Sequence, residues 1–456
     1  MNTRFYNIKL MPMAADCGII DDGELWVEGN RIVYSGPASQ APGAGERERI
    51  SQAPGAGGPG RRTPVWDREI DGRGNLVLPG FKNAHTHSAM TFLRSFADDL
   101  PLADWLEKQV FPMEARLQEE DICCLSKLAV MEYLTSGITA NYDMYFYPRQ
   151  IARASVDCGF RTVIGGTLNN FTSSLEQEEE NFAELNHFHP LIRYRFGFHA
   201  EYTTSRELLE GLARLADKYR APVFSHNSET KSEVEQCLER NKATPTVFLD
   251  SLGLFAHGGG GFHCVYMSQE DLDIFRKKGL WAVTNPGSNT KLASGIAPVK
   301  KMLEEGIGLA IGTDGPASNN CLDMFREMFL TAGLAKLREQ DAGAVAAEEV
   351  LRMACTGGAR AMGLSECDSL APGKLADLIM IDLHQPNMQP ENNPGRNLVY
   401  SGSKQNVKLT MVDGRILYED GRFFIGEEPE YIYRKANEIV GRISELRQTA
   451  GKIPAV

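Results

Sequence analysis

Short apolar runs alternate with amphipathic helical patterns between residue 76 and about residue 370. In the helical stretches apolar residues recur every three or four positions, as in SRELLEGLARLADKYR. The apolar runs number eight: NLVLPGFKNAH, ITANYDMY, RTVIGGTL, YRFGFHA, APVFSH, GGGFHCV, LWAVTNP and GLAIGTDG. Eight strands that alternate with helices predict an α/β fold, a (β/α)8 TIM-like barrel. A doubly wound open sheet is the alternative, but it normally has fewer strands and a Gly-rich nucleotide turn, and no G-x-G-x-x-G follows the first run.

Strand patterns without intervening helices occupy both ends of the chain. They are GELWVEGNRIVYSG near the start and KLADLIMIDL and NVKLTMVDGRILYEDG after residue 370. We expect residues 1–75 and 371–456 to build one small β-sandwich domain with a terminal helix, and residues 76–370 to form the barrel. Within residues 39–62, SQAPGAGE returns as SQAPGAGG in a Gly/Pro-rich stretch, whose composition predicts a mobile insert without an assigned role.

Charge and cysteine usage narrow the class of protein. The 456 residues carry a formal net charge of −12, which argues against a nucleic-acid partner and fits a small-molecule substrate. The nine cysteines include no C-x-x-C pair, which indicates reduced thiols and a cytoplasmic location. The first residues lack the apolar core of a signal peptide, and no apolar window of about 20 residues predicts a membrane span.

Five of the eight runs end in side chains that can bind a metal ion or move a proton. These side chains are His85, His87, His199, His226, Glu229, His263 and Asp314. In a barrel enzyme the active site lies at the carboxyl ends of the strands, so we expect the set to converge. Any one of them alone is more often structural than functional, but five of the nine histidines fall at these ends. We expect the other four to be structural: His187, His189, His257 and His384.

Three imidazoles and one carboxylate suit Zn²⁺, with Fe²⁺ as the alternative. We expect one metal ion per chain, bound by His85, His87, His226 and Asp314, because the fourth run offers no bridging carboxylate or lysine. Such an ion lowers the pKa of a bound water to about 7. Glu229 and His263 remain as proton carriers, and hydrolysis of a C–N bond needs both a base and an acid.

These segments also resemble a known family. NAHTHSAM, SHNSET, HCVYM, NPGSNTKLASGIAPV and GTDGPASNNCLDMF resemble the amidohydrolase superfamily, on the branch of S-adenosylhomocysteine/5′-methylthioadenosine deaminases. The resemblance spans nearly the whole chain apart from the insert. It implies the same four metal ligands, with Glu229 carrying a proton to the purine ring nitrogen. It also implies that His263 and Asp314 act on the attacking water as the 6-amino group leaves.

The resemblance further implies which residues contact the substrate. Trp105 and Glu114 match positions that meet the ribose, and His199 matches a histidine near the purine. Members that act on S-adenosylhomocysteine are expected to carry an arginine after the third strand, where this chain reads GGTLNNFTSSLEQEEENF. Adenosine, 5′-deoxyadenosine and 5′-methylthioadenosine are therefore favoured over S-adenosylhomocysteine.

Other readings remain open at this point. Guanine, pterin or triazine hydrolysis keeps the fold and the metal, and a non-enzymatic binding protein would lack the ligands that are present here. Analogy with related barrels suggests a homo-oligomer, a dimer or a tetramer. Two residues depart from the family pattern: Asn227 stands where an apolar residue is usual, and Gly287 where a larger one is common.

Overall fold

The computed structural model describes residues 1–42, 65–96, 98–100 and 102–450. At residues 102–103 and 446–450 it describes the backbone alone. Most of the Gly/Pro-rich insert predicted at 39–62 lies outside the described residues, so its mobility stays a prediction. The described strands are β1 (Thr3–Leu10), β2 (Ile20–Glu28), β3 (Arg31–Pro37), β4 (Arg68–Asp71), β5 (Leu76–Pro79), β6 (Phe81–Thr86), β7 (Ile138–Asp143), β8 (Arg161–Gly165), β9 (Ile192–Gly197), β10 (Val223–Asn227), β11 (Gly259–His263), β12 (Trp281–Thr284), β13 (Gly308–Ile311), β14 (Leu378–Ile381), β15 (Val407–Val412), β16 (Arg415–Glu419) and β17 (Arg422–Phe423).

Helices separate most of the barrel strands. The described α-helices are Leu102–Trp105, Phe111–Glu114, Glu119–Thr135, Pro148–Cys158, Leu175–Leu185, Arg206–Tyr219, Lys231–Asn241, Pro245–Ser251, Gln269–Lys278, Pro286–Lys291, Val299–Glu304, Met324–Glu339, Ala347–Arg352, Gly358–Ala361, Pro394–Tyr400 and Pro429–Ala450. No helix in the described part of the chain is both long and apolar enough to cross a membrane.

Strands β6 to β13 form an eight-stranded parallel sheet in sequence order, which confirms the predicted barrel. The first and last strands meet at the seam, where the Asp314 backbone N–H donates to the His85 carbonyl at 3.0 Å. The Asn83 amide also exchanges two hydrogen bonds with Thr313, at 2.7 and 2.8 Å. The seam therefore brings the end of β6 next to the segment that follows β13.

The first apolar run is two strands rather than one. β5 pairs with β14 and β1 in the terminal sheet, whereas β6 begins the barrel. Gly80 separates them, and a Cβ atom there would overlap the Thr139 side chain on β7. An unbroken apolar run gives no periodic signal for this division. We propose that the barrel domain begins at Phe81 rather than at residue 76.

Both ends of the chain contribute to one β domain, as predicted. Its nine strands form a single mixed sheet in the order β17-β16-β15-β14-β5-β1-β2-β3, with β4 paired to β1. Apolar side chains from both ends are buried together in its core, including Phe5, Leu25, Leu378 and Leu409. The two chain ends therefore fold as one layer against the barrel.

The glycines of β11 let three strands approach closely. A Cβ atom on Gly259 would overlap the Val223 carbonyl oxygen on β10, and one on Gly260 would overlap the Trp281 carbonyl oxygen on β12. The Gly259 φ of 123° also lies in a region that side chains disfavour. The glycine-rich run therefore draws β10, β11 and β12 together, which sets the spacing of the residues at their carboxyl ends.

Candidate active site

The side chains predicted to be functional emerge from the carboxyl ends of the barrel strands. His85, His226 and His263 lie within the last two positions of β6, β10 and β11. Four non-glycine residues at or just beyond these ends have left-handed backbone conformations: Ser228 (φ 53°), His263 (φ 70°), Cys264 (φ 49°) and Asp314 (φ 58°). Such conformations cost free energy and cluster at functional sites, where they turn side chains toward a shared centre.

Two overlapping groups of metal-ligating atoms meet in this mouth. His85, His87 and Asp314 form one, and His85, His226 and His263 form the other, with ligand atoms inside each group within 4.8 Å of one another. Asp314 Oδ1 lies 3.5 Å from His85 Nε2 and 3.2 Å from His87 Nε2. The His85 and His226 ring centroids are 4.9 Å apart. The structure thus brings together all four residues predicted as ligands, with His263 beside them.

The electrostatics of these residues fit a bound cation. Both ring nitrogens of His85 are buried without a hydrogen-bond partner among the described residues. Burial lowers the pKa of His85 to about 3 and that of His226 well below its usual value. Burial alone would raise the pKa of Asp314, but the His85 and His87 rings close to its Oδ1 hold it well below the usual range. The neutral imidazoles of His85 and His226 and the ionised carboxylate of Asp314 are protonation states that a metal site requires.

Backbone and hydroxyl groups orient these ligands. His226 Nδ1 lies 2.7 Å from the His199 carbonyl oxygen, so that Nδ1 donates and Nε2 is left with a free lone pair. The Ser288 and Ser318 hydroxyls donate to Asp314 Oδ2 at 2.6 and 2.9 Å, while Oδ1 faces the histidines. Partners of this kind fix the tautomer and direction of metal ligands.

Glu229 and His263 form a polar pair at the edge of the ligand group. His263 Nε2 lies 3.7 Å from Glu229 Oε2, and both residues are buried. The other ring nitrogen, Nδ1, lies 2.7 Å from Asn289 Oδ1, and Ser294 donates to Glu229 Oε1 at 3.0 Å. Each side chain is therefore oriented by a hydrogen bond at one polar atom. The other polar atom, Nε2 of His263 or Oε2 of Glu229, remains available to exchange a proton.

A buried carboxylate holds the turn that carries Glu229. Glu233 accepts from the backbone N–H groups of Ser228 at 2.9 Å, Glu229 at 2.7 Å and Thr230 at 3.4 Å. The Thr230 hydroxyl accepts in return from the Glu233 N–H at 3.2 Å, which completes a capping box at the start of the helix Lys231–Asn241. Glu233 therefore does more than cap a helix, because its carboxylate accepts hydrogen bonds from three successive backbone N–H groups of the turn that carries Glu229.

Asn227, the unexpected residue in this stretch, has a structural role. Its amide donates to the Thr246 hydroxyl at 2.9 Å and its oxygen accepts from the Ser228 hydroxyl at 2.9 Å. It is fully buried, and it ties β10 to the helix Pro245–Ser251 on the outside of the barrel. The polar side chain is satisfied there and does not enter the mouth.

Two of the three residues predicted to contact substrate, Glu114 and His199, lie around the same opening. The Tyr145 hydroxyl donates to Glu114 at 2.6 Å, and the Tyr145 ring lies 6.4 Å from that of His87. Burial raises the pKa of Glu114 to about 7. The His199 ring is 4.9 Å from that of His226, and burial lowers the pKa of His199 to about 4. Trp105 is buried at the end of the helix Leu102–Trp105.

Comparison with known proteins identifies the family. The model of the amidohydrolase family matches residues 76–417 of this chain. The chain belongs to the amidohydrolase family. A 5-methylthioadenosine/S-adenosylhomocysteine deaminase from Syntrophobacter fumaroxidans is 42% identical over 375 residues, which cover 80% of this chain and 86% of that protein. A 5′-deoxyadenosine deaminase from Methanothermobacter thermautotrophicus is 36% identical, covering 93% of this chain and 100% of that protein.

A solved structure agrees with the fold of this amidohydrolase. The crystal structure of an adenosine deaminase from Xanthomonas campestris with bound zinc superposes with a TM-score of 0.88 at 30% identity. The match covers 97% of this chain and 98% of that one. The similarity therefore includes the sheet built from both chain ends as well as the barrel.

Several polar residues of this amidohydrolase site escaped prediction from the sequence. They are Tyr145, Glu233, Ser288, Asn289, Ser294 and Ser318. They lie beyond the strand ends, in loops or in the first turns of helices, where polar side chains are ordinary. Tyr145 ends the second apolar run, and the signal for the others was their position within or beside the segments that carry the family resemblance.

Gly287 is explained by its neighbours. A Cβ atom there would overlap Glu327 Oε1 and lie 2.7 Å from the Asn319 side chain. The Gly287 N–H donates to Glu327 at 2.8 Å, and Asn319 donates to the same carboxylate at 2.8 Å. This buried cluster anchors the segments that carry Ser288 and Ser318, so it supports Asp314 indirectly.

Proposed function

We propose that the protein is a metal-dependent hydrolytic deaminase that removes the 6-amino group of an adenosine-type nucleoside. The products are ammonia and the inosine-type nucleoside. The observation that carries this proposal is the ligand group of His85, His87, His226 and Asp314 beside the Glu229–His263 pair. The similarity to deaminases of 5′-deoxyadenosine, 5-methylthioadenosine and S-adenosylhomocysteine supports the same reaction.

His85, His87, His226 and Asp314 are proposed to bind one Zn²⁺ per chain, with Fe²⁺ as the alternative. The orphaned nitrogens of His85 and the ionised Asp314 support that assignment. When bound, the ion polarises a water molecule and lowers its pKa, so that attack on an amidine carbon proceeds near neutral pH.

The remaining residues handle protons. Glu229 Oε2 is proposed to receive a proton from the attacking water and pass it to the purine nitrogen beside the attacked carbon. His263 Nε2 faces the same space, and Asn289 at its Nδ1 keeps that Nε2 available for the water. Asp314 would accept the second proton of that water through Oδ1, the oxygen that faces the histidines, and would deliver it to the amino group, because Ser288 and Ser318 donate to Oδ2. The leaving nitrogen thus departs as ammonia rather than as an anion.

Glu114, Trp105 and His199 are proposed to bind the nucleoside. The Glu114 carboxylate accepts hydrogen bonds from the ribose hydroxyls, with Tyr145 holding its orientation. The loop after β8 contains Asn169 and Asn170 but no arginine. The Asn169 side chain forms hydrogen bonds within its own loop. A substrate carboxylate would be left without a cation there, which is costly. We therefore place adenosine, 5′-deoxyadenosine and 5′-methylthioadenosine ahead of S-adenosylhomocysteine.

An ammonia-release screen tests the proposal. The metal-loaded protein is offered adenosine, 5′-deoxyadenosine, 5′-methylthioadenosine, S-adenosylhomocysteine, guanine, a pterin and a triazine. We expect the first three to give the highest kcat/KM and metal analysis to find about one Zn or Fe per chain. Release from guanine, the pterin or the triazine alone would favour those reactions instead, and full activity without metal would refute the mechanism.

We also propose a cellular location and an oligomeric state for the protein. All nine cysteines are free among the described residues, which supports a cytoplasmic location. Analogy with related barrels supports a dimer or tetramer, which light scattering on the purified protein would measure.

A further inference from the structure

A second cavity lies at the opposite end of the barrel from the candidate active site. It measures about 150 Å³ and lies where the amino ends of β8 and β9 face the terminal sheet and residues 363–367. Three arginines line it: Arg31 from β3, Arg161 from β8 and Arg193 from β9. The cavity is therefore bounded by elements of both parts of the molecule.

Two of these arginines already have carboxylate partners. Arg161 forms hydrogen bonds to Asp377 at 2.7 and 3.0 Å and to Asp413 at 3.0 Å. Arg31 lies 3.4 Å from Glu366. The buried ammonium of Lys82 also acts on Asp377, so the carboxylates of Asp377, Asp413 and Glu366 face three cations.

Two neighbouring guanidinium groups have no carboxylate partner in the part of the chain that the structure describes. Within that part, Arg193 donates to the backbone carbonyls of Ile192, at 2.9 Å, and Pro190, at 3.5 Å. Arg195, two positions further along the same face of β9, has no hydrogen bond or ion pair among the described residues. Its Nη2 lies against Gly363 in the cavity wall, where a Cβ atom would come within 2.5 Å of it.

Both groups must remain charged. A guanidinium does not lose its proton in a protein, so it cannot relieve burial by becoming neutral as a lysine can. Burial lowers the pKa of Arg195, and the nearby charge of Arg193 lowers it further against an opposing effect of Tyr142. Two partly buried guanidinium groups without a carboxylate partner among the described residues, next to a cavity of about 150 Å³, favour the binding of an anion there.

We propose that this cavity is a binding site for a small oxyanion of the phosphate class, held by Arg193 and Arg195. The planar forks of two guanidinium groups match the oxygens of a tetrahedral oxyanion. An anion there stabilises the end of the barrel that rests on the terminal sheet, and it does not take part in the chemistry at the other end.

Calorimetric titration of the metal-loaded protein with inorganic phosphate tests the site. Ionic strength is held constant with chloride, and an inosine-type product is present to occupy the active site. We expect saturable binding and a rise in thermal midpoint with phosphate that chloride does not reproduce. Arg193→Gln and Arg195→Gln should each weaken binding about tenfold or more, since each removes a charge-assisted hydrogen bond.

The controls separate this site from other effects. Arg206→Gln removes an exposed guanidinium at the start of the helix after β9 and should leave phosphate affinity unchanged. Arg193→Lys and Arg195→Lys keep the charge but lose the fork, and they serve if a glutamine variant fails to fold. Absence of saturable binding, or equal affinity in wild type and all the Arg193 and Arg195 variants, would overturn the proposal.

Discussion

Replacing Glu233 by glutamine tests whether the turn that carries Glu229 depends on a single buried carboxylate. One oxygen of Glu233 accepts from Ser228 and the other from both Glu229 and Thr230. A glutamine amide keeps one acceptor oxygen and points an NH₂ group at the remaining backbone donors. At least one buried N–H then lacks an acceptor, which costs about 1–3 kcal/mol.

The loss should appear in both stability and turnover. For a chain of this length, about 1 kcal/mol corresponds to a shift of about 1 °C in thermal midpoint. We therefore expect Glu233→Gln to lower the midpoint of the metal-loaded protein by about 1–3 °C. Displacement of Glu229 by a fraction of an ångström should lower kcat by about ten- to a hundredfold. The metal content should stay unchanged, because Glu233 contacts none of the proposed ligands.

Glu235→Gln is the matched control. Glu235 lies on the same helix, and its side chain is exposed and 3.5 Å from Lys231. The same chemical change there should alter neither the midpoint nor kcat appreciably. If Glu233→Gln behaves like Glu235→Gln in both measurements, the turn is held by other contacts and our account of it is wrong.

Three further outcomes follow from the site. Glu229→Gln should retain metal yet lose about 10²–10⁴-fold in turnover in single-turnover assays, and near-normal turnover would remove Glu229 from the mechanism. Because the pKa of Glu114 is raised to about 7, its carboxylate takes up a proton as pH falls, so KM for nucleosides should rise from pH 8 to pH 6. That rise should be about tenfold and should vanish in Glu114→Gln, and a flat wild-type profile would contradict the ribose role. Gly287→Ala should destabilise the protein by about 1–3 kcal/mol in chemical denaturation, because the added methyl group overlaps its neighbours. Gly441→Ala is the control, since that position on the last helix faces open space and the change should not destabilise the protein. Equal effects of the two substitutions would contradict the packing argument.

Much of the fold could be predicted from the sequence, because the patterns that indicate strands and helices are local. Period-2 and period-3.6 patterns are written into short segments, and eight alternations leave few architectures other than a barrel. The same logic found the site residues at strand ends, since a parallel barrel must bring those ends together however far apart they lie in the chain. The pattern could not divide β5 from β6, because both strands are buried and neither shows alternation.

The supporting residues depended on contacts that no local pattern records. Asn289 reaches His263 across 26 positions, and Ser294 reaches Glu229 across 65. The unpaired state of Arg193 and Arg195 is likewise invisible in the sequence, because pairing is decided by which carboxylates the fold places nearby.

By itself, the sequence determined the alternation of strands and helices, the family, and the side chains that end each strand, since these depend on residue type and spacing. Only the tertiary structure decided how those side chains are oriented, which buried groups are satisfied and where charge remains uncompensated. Those properties depend on distances of a few ångströms between segments far apart in the chain, and they arise only when the barrel closes and the two chain ends meet.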